Sequence, residues 1–191
     1  MDTKNILIVG VGGQGTLLAS KLLGKVLLEK GYDVKVSEVH GMSQRGGSVV
    51  TFVRYGDKVY SPVIDKGEAD IILSFELLEA ARWVEYLRKD GVLITNTQKT
   101  NPMPVITGAA KYPEDLEKKL KDLGIDVRAF DALEKATEAG SSKAVNLVLL
   151  GYLSNLYDFS EDLWIDTIRT SVPEKFIEMN IKAFQLGRAV K

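Results

Sequence analysis

Residues 5–15 read Asn-Ile-Leu-Ile-Val-Gly-Val-Gly-Gly-Gln-Gly, and this stretch decides the fold. The run Asn5–Val9 is apolar, rich in β-branched residues and closed by Gly10, which is typical of a strand buried on both faces. Apolar residues then recur at helical spacing, at Leu17, Leu18, Leu22, Leu23, Val26 and Leu27. Gly31 ends this helix. The stretch therefore predicts a buried strand, a glycine-rich turn and a helix.

The glycines of this turn have the spacing of a phosphate-binding motif. Gly10, Gly12 and Gly15 fit G-x-G-x-x-G between a strand and a helix, and Gly13 and Gln14 are additional features of this chain. Glycine lets the backbone approach a ligand closely, and the helix N-terminus offers unpaired N–H groups that suit a phosphate. Tight packing of the strand on the helix explains the same glycines without any ligand, so both interpretations stay open. The Gln14 amide stands at the helix start, within reach of a ligand or a partner chain.

A second strand follows the helix. Residues Asp33–Val39 alternate polar and apolar side chains, and they complete a strand–helix–strand unit. Such a unit implies parallel pairing of its two strands through a right-handed crossover. Glu38 stands near the end of this strand, where a dinucleotide-binding fold places the acid that holds the ribose.

The loop after this strand is dense in functional groups. It reads His40-Gly41-Met42-Ser43-Gln44-Arg45-Gly46-Gly47 and contains the only histidine of the chain, a hydroxyl, an amide and a guanidinium. The loop leaves the same sheet edge as the glycine turn, and ligands of open α/β sheets bind at that edge. We interpret it as a functional loop in which Arg45 can form a forked contact with a phosphate or carboxylate. The alternatives are a solvated loop whose arginine pairs with a nearby acid, and a histidine that only satisfies a local hydrogen bond.

The remaining pattern predicts one α/β domain spanning residues 1–191. Its fold class is a three-layer Rossmann-like sheet, mostly parallel with an antiparallel hairpin, and a helical C-terminal third. The hairpin joins Ser48–Arg54 to Lys58–Val63 through a turn at residues 55–57. Further strands are predicted at Ala69–Ser74, Gly91–Thr95 and Ile125–Phe130, with a short edge strand near Val105 in the loop 96–107. Helices are predicted at Glu76–Leu87, at Pro113–Leu123 with Pro113 at its start, at Ala132–Glu138 with Asp131 as its cap, and at Ser142–Leu156, Glu161–Thr170 and Pro173–Val190.

Asn146 is a polar residue in an otherwise apolar helix, Ser142-Lys-Ala-Val-Asn-Leu-Val-Leu-Leu-Gly151. A polar group there needs a hydrogen-bond partner. Either it bonds the backbone of a loop, which is the interpretation we favour, or it faces a ligand or a subunit.

The composition narrows the classes of function. The 191 residues contain no cysteine and one histidine, so they supply neither a cysteine-ligated iron–sulfur cluster nor a histidine-rich metal site. The formal net charge of −1 gives no global attraction to nucleic acid or anionic lipid. No apolar run approaches the roughly 20 residues that span a bilayer. We expect a cytoplasmic protein with no metal site of its own and with neither nucleic acid nor membrane as a partner.

Taken together, Gly10–Gly15 and Glu38–Gly47 resemble a known family. The chain is similar to the γ-type subunits of the 2-oxoacid:ferredoxin oxidoreductases, and most similar to the small (beta) subunits of the indolepyruvate enzymes. The resemblance runs from Asn5 to about Ala189 and includes Ser142–Gly151. The second motif, with its Ser-Gln-Arg-Gly-Gly ending, is the more specific of the two.

The resemblance implies a reaction and a set of partners. An aryl 2-oxoacid such as indolepyruvate, coenzyme A and oxidised ferredoxin would give an acyl-CoA, carbon dioxide and reduced ferredoxin. The complex would use thiamine diphosphate, Mg²⁺ and [4Fe–4S] clusters, all in a large (alpha) subunit that carries the thiamine and ferredoxin domains. This chain would bind no cofactor alone, would reach ferredoxin only through the complex, and could form a homodimer when isolated.

The same resemblance implies where the site lies, as one wall of the substrate or coenzyme A entrance or as a face toward the partner. The residues concerned are Gly10, Gly12, Gly13, Gln14, Gly15, Glu38, His40, Ser43, Gln44, Arg45, Gly46, Gly47 and Asn146. No catalytic residue is assigned.

Three other functions compete with this one. A stand-alone NAD(P)-binding oxidoreductase would use the glycine turn and Glu38. A non-catalytic assembly module would use the turn only for packing. An adenylating enzyme of the activating type also has a Gly-x-Gly-Gly-x-Gly turn, but this chain is short and lacks the zinc-binding cysteines that many of those enzymes carry.

Overall fold

A computed structural model describes residues 2–40 and 46–191, with the backbone but not the side chain of His40. Within these residues the strands are β1 (Lys4–Val11), β2 (Asp33–His40), β3 (Ser48–Gly56), β4 (Ala69–Ser74), β5 (Leu87–Asn96) and β6 (Asp126–Phe130). The helices are α1 (Thr16–Glu29), α2 (Leu77–Trp83), α3 (Met103–Ile106), α4 (Leu116–Asp122), α5 (Ala132–Ala139), α6 (Val145–Ser154), α7 (Glu161–Arg169) and α8 (Ile177–Arg188). Short 3₁₀ turns lie at Val84–Tyr86, Ser142–Ala144 and Glu174–Phe176.

The strands form one mixed sheet in the order β2-β3-β1-β4-β5-β6. The pairs β1–β4, β4–β5 and β5–β6 are parallel, whereas β3 is antiparallel to both of its neighbours. The predicted α/β class, mostly parallel with an antiparallel element, is confirmed.

The antiparallel element differs from the predicted hairpin. β3 continues through the expected turn, because Tyr55 and Gly56 pair with Val34 and Asp33 of β2. Residues 58–63 form coil instead of a strand. The Arg54 guanidinium donates to the carbonyls of residues 61 and 63, at 3.1 and 2.7 Å, and so holds this coil against β3. β1 and β2 run in the same direction, as the crossover requires, but β3 lies between them, so the expected direct pairing is wrong.

Helices cover both faces of the sheet, which confirms the three layers. In β1, Ile6 and Ile8 pack toward α1 and the C-terminal helices, whereas Leu7 and Val9 pack toward α2 and α4. All four side chains are fully buried. A strand covered on both faces needs a continuous apolar run, which is the pattern that marked this strand in the sequence.

Several boundaries also differ from the sequence interpretation. The helix expected to end at Leu87 ends at Trp83, because β5 already begins at Leu87. The expected edge strand near Val105 is wrong, since Pro102 and Pro104 favour a helix start and α3 forms there. α4 begins after Asp115 instead of at Pro113. The Asp131 cap is confirmed by a carboxylate that accepts from the Glu134 N–H at 2.9 Å. None of the described helices is long and apolar enough to span a bilayer.

α6 and α8 cross with their backbones in contact. A Cβ atom on Gly151 would lie 2.0 Å from the Phe184 carbonyl oxygen, and one on Gly187 would lie 1.9 Å from the Val148 carbonyl oxygen. Because both obstacles are backbone atoms, the helices would have to separate to admit a side chain. The two glycines therefore set the distance between these helices.

We expect Gly151→Ala to lower the free energy of unfolding by about 1–3 kcal/mol, because the added methyl group overpacks the crossing. Denaturant unfolding measures this change. Gly24→Ala is the matched control, since a Cβ there would meet only Val36 Cγ2 at an ordinary 3.8 Å. That variant should be neutral or more stable by up to about 1 kcal/mol. Equal stability of the two variants would contradict the close crossing.

Candidate functional site

The glycine turn joins β1 to α1 at the sheet edge where the parallel strands end. Gly13 and Gly15 have φ angles of +103° and +89°, a left-handed conformation that residues with a Cβ rarely adopt. The predicted sequence of strand, turn and helix is confirmed.

The Gln14 side chain folds back into the turn. Its Oε1 accepts from the Val11 N–H at 2.8 Å, and its Nε2 donates to the Phe75 carbonyl at 3.4 Å. A Cβ on Gly10 would lie 2.8 Å from the same Oε1, so Gly10 leaves the space that this amide fills. Gln14 thus ties the turn to the end of β4.

Asn146 supports the turn from the other side. It is buried, its Nδ2 donates to the Gly15 carbonyl at 3.4 Å, and its Oδ1 accepts from the Leu147 N–H at 3.0 Å. A Cβ on Gly15 would lie 2.7 Å from Nδ2. The sequence left two partners open for Asn146, the backbone of a loop or a ligand or subunit. In the structure, its partner is the backbone of the glycine turn.

The glycine turn and the second loop are hydrogen-bonded to each other. The Gly12 N–H donates to the Gly47 carbonyl at 2.8 Å, and the Gly46 N–H donates to the Gly12 carbonyl at 3.3 Å. The two motifs therefore share one place on the sheet edge. Ser43, Gln44, Arg45 and the side chain of His40 lie outside the described residues.

Two clefts flank the turn. The Glu38 cleft, of about 300 Å³, is lined by Gly12, Gly13, Gly15, Thr16, Leu17, Glu38 and Val49. The Lys143 cleft, of about 600 Å³, is lined by Val11, Gly12, Gly13, Gln14, Gly15, Gly46, Gln98, Thr100, Leu133, Ser142, Lys143 and Val145. Of the predicted site residues that the structure describes, six line one cleft or both: Gly12, Gly13, Gln14, Gly15, Glu38 and Gly46. Gly10, Gly47 and Asn146 line neither.

Glu38 does not occupy the position that a dinucleotide site requires. In that fold the acid ends the strand beside β1, whereas here Glu38 pairs with Thr51 of the intervening strand β3. Neighbouring strands lie about 4.8 Å apart, so the extra strand displaces the carboxylate sideways by about that distance. This geometry counts against the NAD(P) interpretation.

The Lys143 cleft has the chemistry of an anion site. The start of α1 and the 3₁₀ turn that leads into α6 both open onto it, and Lys143 is its cationic side chain. Helix starts carry partial positive charge, which adds to that of the ammonium group. Lys143 was not among the residues predicted from the sequence, although Ser-Ser-Lys directly before an apolar helix is a signal for a capped helix start with a cation.

Two buried carboxylates behind the second loop were also missed. Glu76 Oε2 accepts from the Glu79 N–H at 2.9 Å, while its Oε1 accepts from the Thr100 N–H at 3.0 Å and the Tyr112 hydroxyl at 2.5 Å. Burial, and then the bond to Glu76, raises the pKa of the Tyr112 phenol. The sequence signal is a pair of acids three positions apart at the start of a helix that follows a buried strand.

Glu79 lies beside the second loop itself. Its Oε2 accepts from the Ser48 hydroxyl, and its Oε1 lies 3.3 Å from the Arg82 Nε. It lines a small cavity of about 150 Å³ together with Gly46 and Gly47. Burial raises the pKa of the Glu79 carboxyl above its ordinary value of 4.5, despite the opposing effects of Ser48 and Arg82.

Among the described side chains of residues 2–39 and 46–191, no three acidic groups come together as a metal site would require.

We expect the raised pKa of Glu79 to make stability depend on pH. The folded protein binds the proton of the Glu79 carboxyl more tightly than the unfolded chain does. The stability that this proton contributes is therefore fully present below about pH 4.5 and is lost as the pH rises through the folded-state pKa. Urea unfolding of wild type and Glu79→Gln should therefore show wild type losing stability relative to the variant between pH 4.5 and neutrality. Glu178→Gln, at an exposed position of α8, is the control, and the opposite trend for Glu79→Gln would refute the assignment.

Comparison with known proteins identifies relatives of similar length. The chain is 48% identical to indolepyruvate oxidoreductase subunit IorB of Thermococcus kodakarensis over 192 aligned residues, which cover 98% of this chain and 95% of the relative.

Solved structures share the fold. The pyruvate oxidoreductase subunit PORC from Thermotoga maritima matches with a TM-score of 0.74 at 23% identity, over 98% of this chain and 96% of that one. The 2-oxoglutarate:ferredoxin oxidoreductase from Magnetococcus marinus matches with a TM-score of 0.73 at 19% identity, over 99% of this chain but only 31% of that longer one. The family model for pyruvate ferredoxin/flavodoxin oxidoreductase matches residues 5–190. The chain belongs to the pyruvate ferredoxin/flavodoxin oxidoreductase family.

Proposed function

We propose that the chain is the small subunit of an indolepyruvate-type 2-oxoacid ferredoxin oxidoreductase, with residues 1–191 as one γ-type domain. The complex would decarboxylate an aryl 2-oxoacid oxidatively, transfer the acyl group to coenzyme A and pass the electrons to ferredoxin. The observation that carries this proposal is the 48% identity, over nearly the whole of both chains, to the Thermococcus kodakarensis subunit.

The redox groups of the proposed complex would lie in a partner chain. A cysteine-ligated cluster needs thiolates, and these 191 residues contain none. The sequence also has no Gly-Asp-Gly followed by Asn-Asn at the spacing that holds the metal and diphosphate of thiamine enzymes. Thiamine diphosphate, Mg²⁺ and the [4Fe–4S] clusters would thus reside in a large subunit, which would also be the route to ferredoxin. We place this complex in the cytoplasm.

The role left for this chain is to form one wall of the active-site entrance. Gln14 and Asn146 are engaged within the turn and leave the glycine backbone and Lys143 facing the larger cleft. Coenzyme A carries phosphate groups, which a helix start and an ammonium group attract. We assign the Lys143 cleft to the phosphate-bearing part of coenzyme A.

An assembly module without any ligand site is the second candidate. The hydrogen bonds of Gln14 and Asn146 favour it, because they give the glycine motif a packing role. The two candidates differ in whether a change in the Lys143 cleft alters the use of coenzyme A.

The isolated chain should be inactive, because it lacks the groups that accept electrons. Co-expression with the large subunit should restore 2-oxoacid-dependent dye reduction, with indolepyruvate and other aryl pyruvates used better than pyruvate. The assay compares chain, partner and complex at equal concentration, with and without coenzyme A. Robust dye reduction by this chain alone would refute the division of labour, and a complex that prefers pyruvate would refute the substrate class.

Within the active complex, Lys143→Ala should raise the KM for coenzyme A about tenfold and leave the KM for the 2-oxoacid unchanged. A hydrogen bond to a charged group contributes about 1.5–3 kcal/mol, and 1.4 kcal/mol corresponds to a factor of ten. Lys89→Ala serves as the control. It removes an exposed lysine near the start of β5, at the end of the strands opposite to the glycine turn. An unchanged KM for coenzyme A would favour the assembly module.

A further inference from the structure

The segment after β5 projects two large apolar side chains into solvent. Residues 99–112, here called the arm, contain the single-turn helix α3, on which Met103 and Ile106 are 69% and 65% exposed. Residues three apart on a helix lie on one face, so the two side chains form a continuous patch. Scattered apolar residues are normal on a surface, but two exposed apolar side chains on one face of one helical turn point to an interaction site.

The arm is held in a fixed shape. Its two ends meet at one atom, because the Thr100 N–H and the Tyr112 hydroxyl both donate to Glu76 Oε1. Glu76 is only 1% exposed, so this clamp is shielded from water. Within the arm, the Ala110 N–H donates to the Pro104 carbonyl at 2.9 Å. A segment ordered in advance loses little conformational entropy when a partner binds.

The arm borders the candidate site. Thr100 lines the Lys143 cleft, and Thr100, Asn101 and Pro102 line the small cavity beside Gly46 and Gly47. A protein that covered the arm would therefore also stand over the entrances to the site.

The charged side chains of the arm are all positive. Lys99 and Lys111, near its two ends, are exposed, and residues 99–112 contain no acidic side chain. A symmetric contact between two copies of the arm would bring lysines toward lysines, which is unfavourable. A partner with an acidic rim around an apolar recess would complement both the apolar side chains and the positive charges of the arm.

We propose that the arm is the element by which the chain docks onto the large oxidoreductase subunit, with Met103 and Ile106 in an apolar recess and the two lysines facing acidic groups. This inference rests on the proposed function. The same fold makes up 31% of a longer chain in the Magnetococcus marinus enzyme, where the remainder of that chain is joined to it covalently. A separate chain needs a non-covalent contact in its place.

The test is the affinity of the purified chain for the large subunit of the proposed complex, measured for wild type and for Met103→Ser/Ile106→Ser. Both side chains are exposed, so the variant should keep the wild-type Tm while its Kd rises at least tenfold. Leu28→Ser/Val63→Ser is the matched control, because these side chains are 57% and 55% exposed and belong to segments that contact β2 and β3, whereas the arm follows β5. Its Kd should equal that of wild type. Equal Kd values for the arm variant and wild type would overturn the inference.

A second variant tests the charges. Lys99→Glu/Lys111→Glu should slow association and weaken the dependence of the association rate on salt, because charge complementarity acts mainly on encounter. If the arm variant instead converts a wild-type homodimer into a monomer and leaves the Kd for the large subunit unchanged, the occupant is a second copy and the proposal is wrong. Failure of wild type to bind the large subunit would overturn the proposed function itself, whereas binding by wild type and arm variant alike overturns only the role of the arm.

Discussion

The antiparallel pairing of β3 with β1 is the constraint on which the rest of the molecule depends. Its register sets Val11 opposite Ser48, so the residues that follow β1 and those that precede β3 must leave the sheet side by side. The hydrogen bonds that link Gly12 to Gly46 and Gly47 extend this pairing beyond the sheet. Gly12 and Gly46, 34 positions apart in the sequence, thereby belong to one surface, and both clefts open beside it.

The local structure could largely be predicted from the sequence, whereas the partners of the strands could not. The run at β1, the glycine turn and the Asp131 cap each carry their signal within a few residues. The choice of partner for β3 carries no such signal, because alternating side chains fit β2 and a following strand at 58–63 equally well. Pairing is decided by the whole sheet, where β3 gains two neighbours in place of one.

The candidate site, too, could be predicted only where its signal is local in the sequence. Glycine spacing revealed the turn, and a dense set of functional groups revealed the second loop. The contacts that fix these elements join distant parts of the chain. Asn146 bonds Gly15 across 131 positions, and Glu76 accepts from Thr100 and Tyr112, which lie 24 and 36 positions away. An acid at a helix N-cap, as Glu76 is, looks like an ordinary surface cap until the fold covers it.

The crossing of α6 and α8 has a consequence for building chimeras from members of this family. With carbonyl oxygens about 2 Å from the positions that side chains would take at Gly151 and Gly187, the two helices behave as one rigid block. α6 also carries Asn146, the support of the glycine turn. An exchange of segments between relatives must therefore move residues 145–188 together, since a junction between the two helices would combine surfaces that were never fitted to each other. The exchanged segment must also keep an asparagine at position 146, because that side chain bonds Gly15 outside the segment.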